Sequence, residues 1–163
     1  MSERSAFSRD GSRVATASRD DTARVWDVTS GAEIARLMHD AAVNAVAFSR
    51  DGSRVVTASS DGTARVWESS SGQEIARLIH DANVTAVAFS RDGRMIATAS
   101  ADNTAEIRYV HTQDLITQAC LRLTRNLTLR EWRRYIGEEP YRRTCEDLPD
   151  PDDLKEDGDQ QVR

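Results

Sequence analysis

Residues Phe48 to Val87, FSRDGSRVVTASSDGTARVWESSSGQEIARLIHDANVTAV, repeat residues Phe7 to Val46, FSRDGSRVATASRDDTARVWDVTSGAEIARLMHDAAVNAV, with 30 of 40 positions identical. The period is 41 residues. A third copy opens at Phe89 as FSRDGRMIATASADNTAEIR and dissolves after Tyr109. Self-similarity at this period points to stacked units, because a single short unit cannot bury its own apolar face and must cover it with a neighbour.

Within the second copy, short alternating runs rich in Val, Thr and Ala are separated by turn residues, the signature of antiparallel sheet. The spacing predicts strands over 43–49, 54–59, 63–69 and 74–79, one four-stranded blade. Gly52 and Gly62 supply backbone freedom for the turns SRDG and SDG, and the Asp before each favours a local side-chain-to-backbone bond.

A four-stranded unit of about 40 residues, whose third strand ends in Trp26-Asp27 or Trp67-Glu68, resembles the WD40 repeat family. The likeness covers roughly residues 5–110. It implies an all-β fold, an incomplete WD40 β-propeller of two to three four-stranded blades followed by a short α-helical tail. In that family a side-chain network pins each blade, joining a His, a Ser or Thr, an Asp and the Trp. The resemblance assigns these roles to His39, Thr57 or Ser59, Asp61 and Trp67 in the second copy. Thr57 and Ser59 face the same way on a strand, so spacing does not choose between them. The corresponding residues are Thr16, Ser18, Asp20 and Trp26 in the first copy, which lacks the His, and His80, Thr98, Ser100 and Asp102 in the third, where Arg108 replaces the Trp. A buried imidazole, carboxylate and indole N–H must satisfy one another or carry a desolvation cost, so the set reads as structural.

The outer copies are incomplete. The first begins inside a strand, with Ser2 to Phe7 in place of VNAVAF, and the third turns to HTQDLITQACLRL where EIARL is expected. Propellers close with four to eight blades. Three expectations follow: the C-terminal end of a longer chain, self-association of several copies to complete the ring, or a truncated reading frame.

From Asp114 the apolar period becomes helical. Leu115, Ile116, Ala119, Cys120 and Leu123 predict a helix over 115–124, and Thr128 with Glu131 forms a capping box for a second helix carrying Leu129, Trp132 and Ile136, stopped by Gly137. Residues 114–149 are similar to the terminal segments of large bacterial WD40 proteins in which a signalling ATPase, protease-like or kinase module precedes the propeller; the resemblance implies a cap with no catalytic module. Domains are expected at 1–110 for the partial propeller, 111–145 for the helical cap and 146–163 for an acidic, disordered tail with eight Asp or Glu between 146 and 159.

Composition narrows the function classes. The chain has 163 residues, 39% hydrophobic and 30% charged, with a formal charge of −5. No apolar run suffices for a membrane helix and the start lacks a signal-peptide core, so a cytoplasmic setting is expected. Cys120 and Cys145 are too few for a disulfide framework, and two reduced thiols are expected, with Cys145 a small packed side chain rather than a reactive one. Seven arginines between Arg122 and Arg143, interleaved with Trp132, Tyr135 and Tyr141, invite a nucleic-acid reading, but Glu131, Glu138 and Glu139 intervene and a solvated face is the better account. No cofactor or metal is expected, since no phosphate loop, metal-ligand spacing or elbow serine is present.

These readings converge on a protein-interaction scaffold for a signalling system, with a protein partner and no membrane or nucleic acid. Candidate contact positions are turn residues that differ between copies: Arg19, Asp21, Ala42, Asn44, Ser60, Gly62, Asn83 and Thr85. The competing readings are a truncated remnant without function and, from another class, a hydrolase-type enzyme built on the His, Ser or Thr and Asp set.

Overall fold

The computed structural model describes residues 4–110, 116, 117, 119–135 and 140–149. Two compact units result, Met1–Val110 and His111–Arg163.

The first unit holds three antiparallel sheets. Strands β1 (Arg4–Phe7), β2 (Arg13–Ala17), β3 (Thr22–Asp27) and β4 (Glu33–Met38) form the first, in sequence order. Strands β5 (Val43–Phe48), β6 (Arg54–Ser59), β7 (Thr63–Glu68) and β8 (Glu74–Ile79) form the second, and β9 (Val84–Phe89), β10 (Met95–Ser100) and β11 (Ala105–Tyr109) the third. Each sheet is a meander of neighbours, the result of turns too short for any other connection. The recurring SRDG turn explains its own conservation of type across copies: Ser8 and Ser12 hydroxyls donate to Asp10, Ser49 and Ser53 to Asp51, and Ser90 to Asp92, while Gly11, Gly52 and Gly93 all take φ of +73°.

Blades pack face to face through alternation along each strand. Ala15, Ala17, Ala23, Val25, Ala35 and Leu37 of the first blade bury against Val43, Val46, Val55 and Trp67 of the second. The opposite face of the second blade, with Ala45, Val56, Ala58, Ala64 and Val66, buries against Val84, Ile96 and Val110. Strands β1, β5 and β9 approach one another and so lie innermost. Polar bonds also cross these interfaces: Arg13 donates to Ser69 Oγ at 2.8 Å, Val43 N–H to the Ser18 carbonyl at 2.9 Å, Arg65 Nη1 to the Met38 carbonyl at 3.2 Å, and Asn44 Nδ2 to the Val84 carbonyl at 2.9 Å.

In the second unit, helix α1 spans Leu129–Tyr135. Its capping box is formed: Thr128 N–H donates to Glu131, and Glu131 N–H to Thr128 Oγ1 at 3.1 Å. Ile136 and Gly137 lie outside the described residues. The helix expected over 115–124 is shorter than that: residues 116, 117, 119 and 120 are helical, and the chain turns at Leu121 and Arg122. Leu115 lies outside the described residues.

The expectation of two reduced thiols is overturned, because Cys120 and Cys145 form a disulfide with Cα atoms 5.6 Å apart. Spacing of 25 residues carries no information about proximity once the chain doubles back. The doubling back is fixed by Asn126, a buried side chain that donates to the carbonyls of Cys145 and Leu148 and accepts from the N–H groups of Thr144 and Cys145. With its sulfur in the bridge, Cys145 has no thiolate to offer as a nucleophile. Trp132 is buried and meets Tyr141 edge to face at 5.3 Å, so it is closed to stacking on a base. Of the acidic tail, residues 150–163 lie outside the described residues. No described helix is long and apolar enough to cross a membrane.

Candidate functional site

The second blade carries the fullest side-chain network. Trp67 Nε1–H donates to Thr57 Oγ1 at 2.8 Å, Thr57 Oγ1 lies 2.7 Å from His39 Nε2, and His39 Nδ1 lies 3.0 Å from Asp61 Oδ2. Burial drives the His39 imidazole below its ordinary pKa despite the opposing pull of the Asp61 carboxylate. A neutral ring has one N–H, and the carboxylate can only accept, so Nδ1 carries the proton and Nε2 accepts from the Thr57 hydroxyl. The bonds then run in one direction, from indole to hydroxyl to imidazole to carboxylate. Burial pushes the Asp61 carboxyl up, but donors from Thr63 Oγ1, the Asp40 and Thr63 N–H groups and His39 outweigh it and hold the group below the usual carboxylate range.

Thr57, not Ser59, joins this relay. Ser59 donates instead to the Ala41 and Ala42 carbonyls and accepts from Asp61 N–H, fixing the turn. A two-residue step along the strand moves a hydroxyl by nearly 7 Å, beyond the reach of the indole. Arg65 is a member that sequence reasoning missed. It is buried, donates to Asp61 at 2.9 Å and to Asp40 at 2.8 Å, and its Nε donates to Thr63 Oγ1. Its signal was present, since an Arg stands two residues before the Trp in the first two copies.

The flanking blades hold parts of the network. In the first, Trp26 donates to Thr16 Oγ1 at 3.0 Å, while Asp20 accepts from Thr22 and Arg24 and Ser18 Oγ accepts from Asp20 N–H. In the third, His80 Nε2 lies 2.9 Å from Thr98 and Nδ1 lies 3.6 Å from Asp102, with Ser100 donating to the Ala82 carbonyl. Here Glu106 and Arg108 replace the Arg and Trp and pair with each other on the surface, so no indole reaches Thr98.

The variable turn positions divide by environment. Asp21 and Asn103 take φ of 67° and 69° and Gly62 takes 82°, so the differences at this point are confined to residues that tolerate left-handed backbone. Asn44 bonds Ser60 Oγ and the third blade, and the Ala42 carbonyl accepts from Ser60 N–H. The Asn83 carbonyl accepts from Ala101 N–H, and Thr85 Oγ1 donates to the Ala99 carbonyl. Arg19 is exposed. Among the described residues, no group of three or more His, Cys, Asp or Glu side chains could hold a metal ion.

No curated protein sequence matches the chain. The profile of the WD domain, G-beta repeat, matches at residues 4–27, 31–68 and 72–107. The second match runs from β4 to β7, so a repeat in this register begins with the outer strand of one sheet and ends with the third strand of the next, tying adjacent blades covalently. With three successive matches that cover more than half of its length, the chain belongs to the WD40 repeat family.

Proposed function

We propose that this chain is a non-catalytic protein-interaction scaffold, and that its outermost sheet faces are the surfaces on which other blades dock. The observation that carries this is the outer face of the third blade. Ala97, Ala99, Ala105 and Ile107 stand 41 residues beyond Val56, Ala58, Ala64 and Val66, which the second blade buries against the third. Ile107 is 70% exposed. The first blade presents the complementary side: Phe7, Val14 and Trp26 occupy the positions of Phe48, Val55 and Trp67, which in the second blade pack on the first.

The occupant that continues this repeated interface is a second copy of the chain, joined head to tail. Two copies bring six blades, within the range at which propellers close. Light scattering on the eluting chain should give a discrete oligomer, and Ala97→Arg should return it to the mass of one chain with unchanged far-UV circular dichroism. A wild-type chain that stays monomeric at every concentration overturns self-association. A signalling role fits a scaffold of this kind and rests on the family and the terminal-segment resemblance.

The non-catalytic reading is supported by burial. The imidazole of His39 has no exposed surface and Thr57 is fully buried, so no substrate meets the one hydroxyl–imidazole–carboxylate relay of the second blade.

A further inference from the structure

The three SRDG turns place Arg9, Arg50 and Arg91 at equivalent points of three successive blades. Each turn follows an innermost strand, β1, β5 or β9, so the turns gather at one end of the stack. Arg9, Arg50 and Arg91 line one cleft of about 400 Å³ together with Phe48, Phe89 and Ser90. Arg9 and Arg50 also line an adjoining cleft of about 290 Å³. All three arginines are exposed, and none makes a hydrogen bond or ion pair among the described residues.

The acidic residues beside them are committed elsewhere. Asp10 accepts from Ser8, Ser12 N–H and Ser12 Oγ, Asp51 repeats the pattern with Ser49 and Ser53, and Asp92 accepts from Ser90 and Arg94 N–H. These bonds hold each carboxyl below its ordinary pKa, Asp10 at about 2, and turn its lone pairs into its own loop. Across 8–13, 49–54 and 90–95, six arginines against three aspartates leave +3, in a chain whose total is −5. Arg13 and Arg54 stand across their sheets from Asp27 and Glu68, so the positive charge this rim offers a ligand is that of Arg9, Arg50 and Arg91.

We infer that the Arg9, Arg50 and Arg91 rim binds an acidic peptide segment of a partner protein, its carboxylates on the guanidinium groups and an apolar side chain between them on Phe48 and Phe89. A planar guanidinium matches a carboxylate with two parallel hydrogen bonds, and a free one has no internal partner to give up. Spacing over successive blades suits an extended peptide laid across the turns. A nucleic acid fits less well, because a net of three charges on a chain of −5 gives little counterion release.

This deepens the scaffold reading by naming the chemistry of a partner, and it rests on that reading. The test measures fluorescence anisotropy of a labelled peptide of alternating Glu and Leu with the full chain. The probes are that peptide, its Gln-for-Glu counterpart and a single-stranded oligonucleotide. Arg50→Gln is expected to weaken the Glu peptide by about tenfold, and Arg9→Gln/Arg50→Gln/Arg91→Gln to abolish binding. Arg36→Gln, on the outer strand β4 and away from the rim, leaves it unchanged, and added salt weakens it. Equal binding by the triple variant, equal binding of the Gln peptide, or binding of the oligonucleotide alone overturns the proposal. The triple variant keeps its thermal midpoint and its mass by light scattering, so a failure here is separate from a failure of blade docking.

Discussion

Thr57 Oγ1 stands 2.7 Å from His39 Nε2, the distance a catalytic hydroxyl keeps from its base, yet the same oxygen accepts the Trp67 indole N–H at 2.8 Å and has no exposed surface. A nucleophile must meet its substrate and direct a lone pair at it. Here the lone pair is occupied by the indole and the approach is filled by the first blade. The relay that imitates a triad in order of groups serves as a pin between the strands of one sheet.

Replacing Thr57 by Val keeps the shape and removes the hydroxyl, leaving the Trp67 N–H and His39 Nε2 buried without partners. The loss in unfolding free energy is expected to be about 2–4 kcal/mol. Thr16→Val removes a single acceptor from the half-buried Trp26 and should cost about 1 kcal/mol or less. Urea unfolding of the two variants checks the order.

The His39 relay should also make stability depend on pH. Burial holds its folded pKa below the ordinary imidazole value of about 6.5, so the unfolded chain takes up the proton first as pH falls. Stability from this group is complete above the unfolded value and is lost as pH drops from about 6.5 toward the folded one. Wild type should unfold at lower urea at about pH 5 than at about pH 7.5, and His39→Gln should show a smaller difference. Asp61, held low, adds its own loss only in stronger acid.

Gly62 tests the backbone. Its φ is +82°, and an added Cβ would stand 3.0 Å from the His80 carbonyl oxygen. Because Asp21 and Asn103 occupy the equivalent points with positive φ, Gly62→Asn should cost under about 1 kcal/mol. Gly62→Val, with a branched side chain in left-handed backbone, should cost about 2 kcal/mol or more. Thermal midpoints of the pair decide this.

The terminal unit depends on its bridge. Denatured without reductant, the chain should titrate no free thiol, and two after reduction. Cys120→Ser should loosen the terminal unit by about 3 kcal/mol, the loop-closure value for a span of this size. Limited proteolysis should then cut within 111–149 while the blades keep their β signal. Two free thiols in the unreduced chain would contradict the bridge and return the reading of separate cysteines.

The sequence by itself determined the sheets and their order. A 41-residue period, β-branched alternation and the SRDG turn are local properties, and local sterics with turn chemistry act within a few residues. It also narrowed the pin to His39, Asp61, Trp67 and one of two hydroxyls. Only the tertiary structure chose Thr57 over Ser59, brought in Arg65, joined Cys120 to Cys145 through the chain reversal at Asn126, and set Arg9, Arg50 and Arg91 around one cleft. Each of these is a distance between residues remote in the chain. Such distances follow from how finished blades and turns pack, which residue spacing does not record.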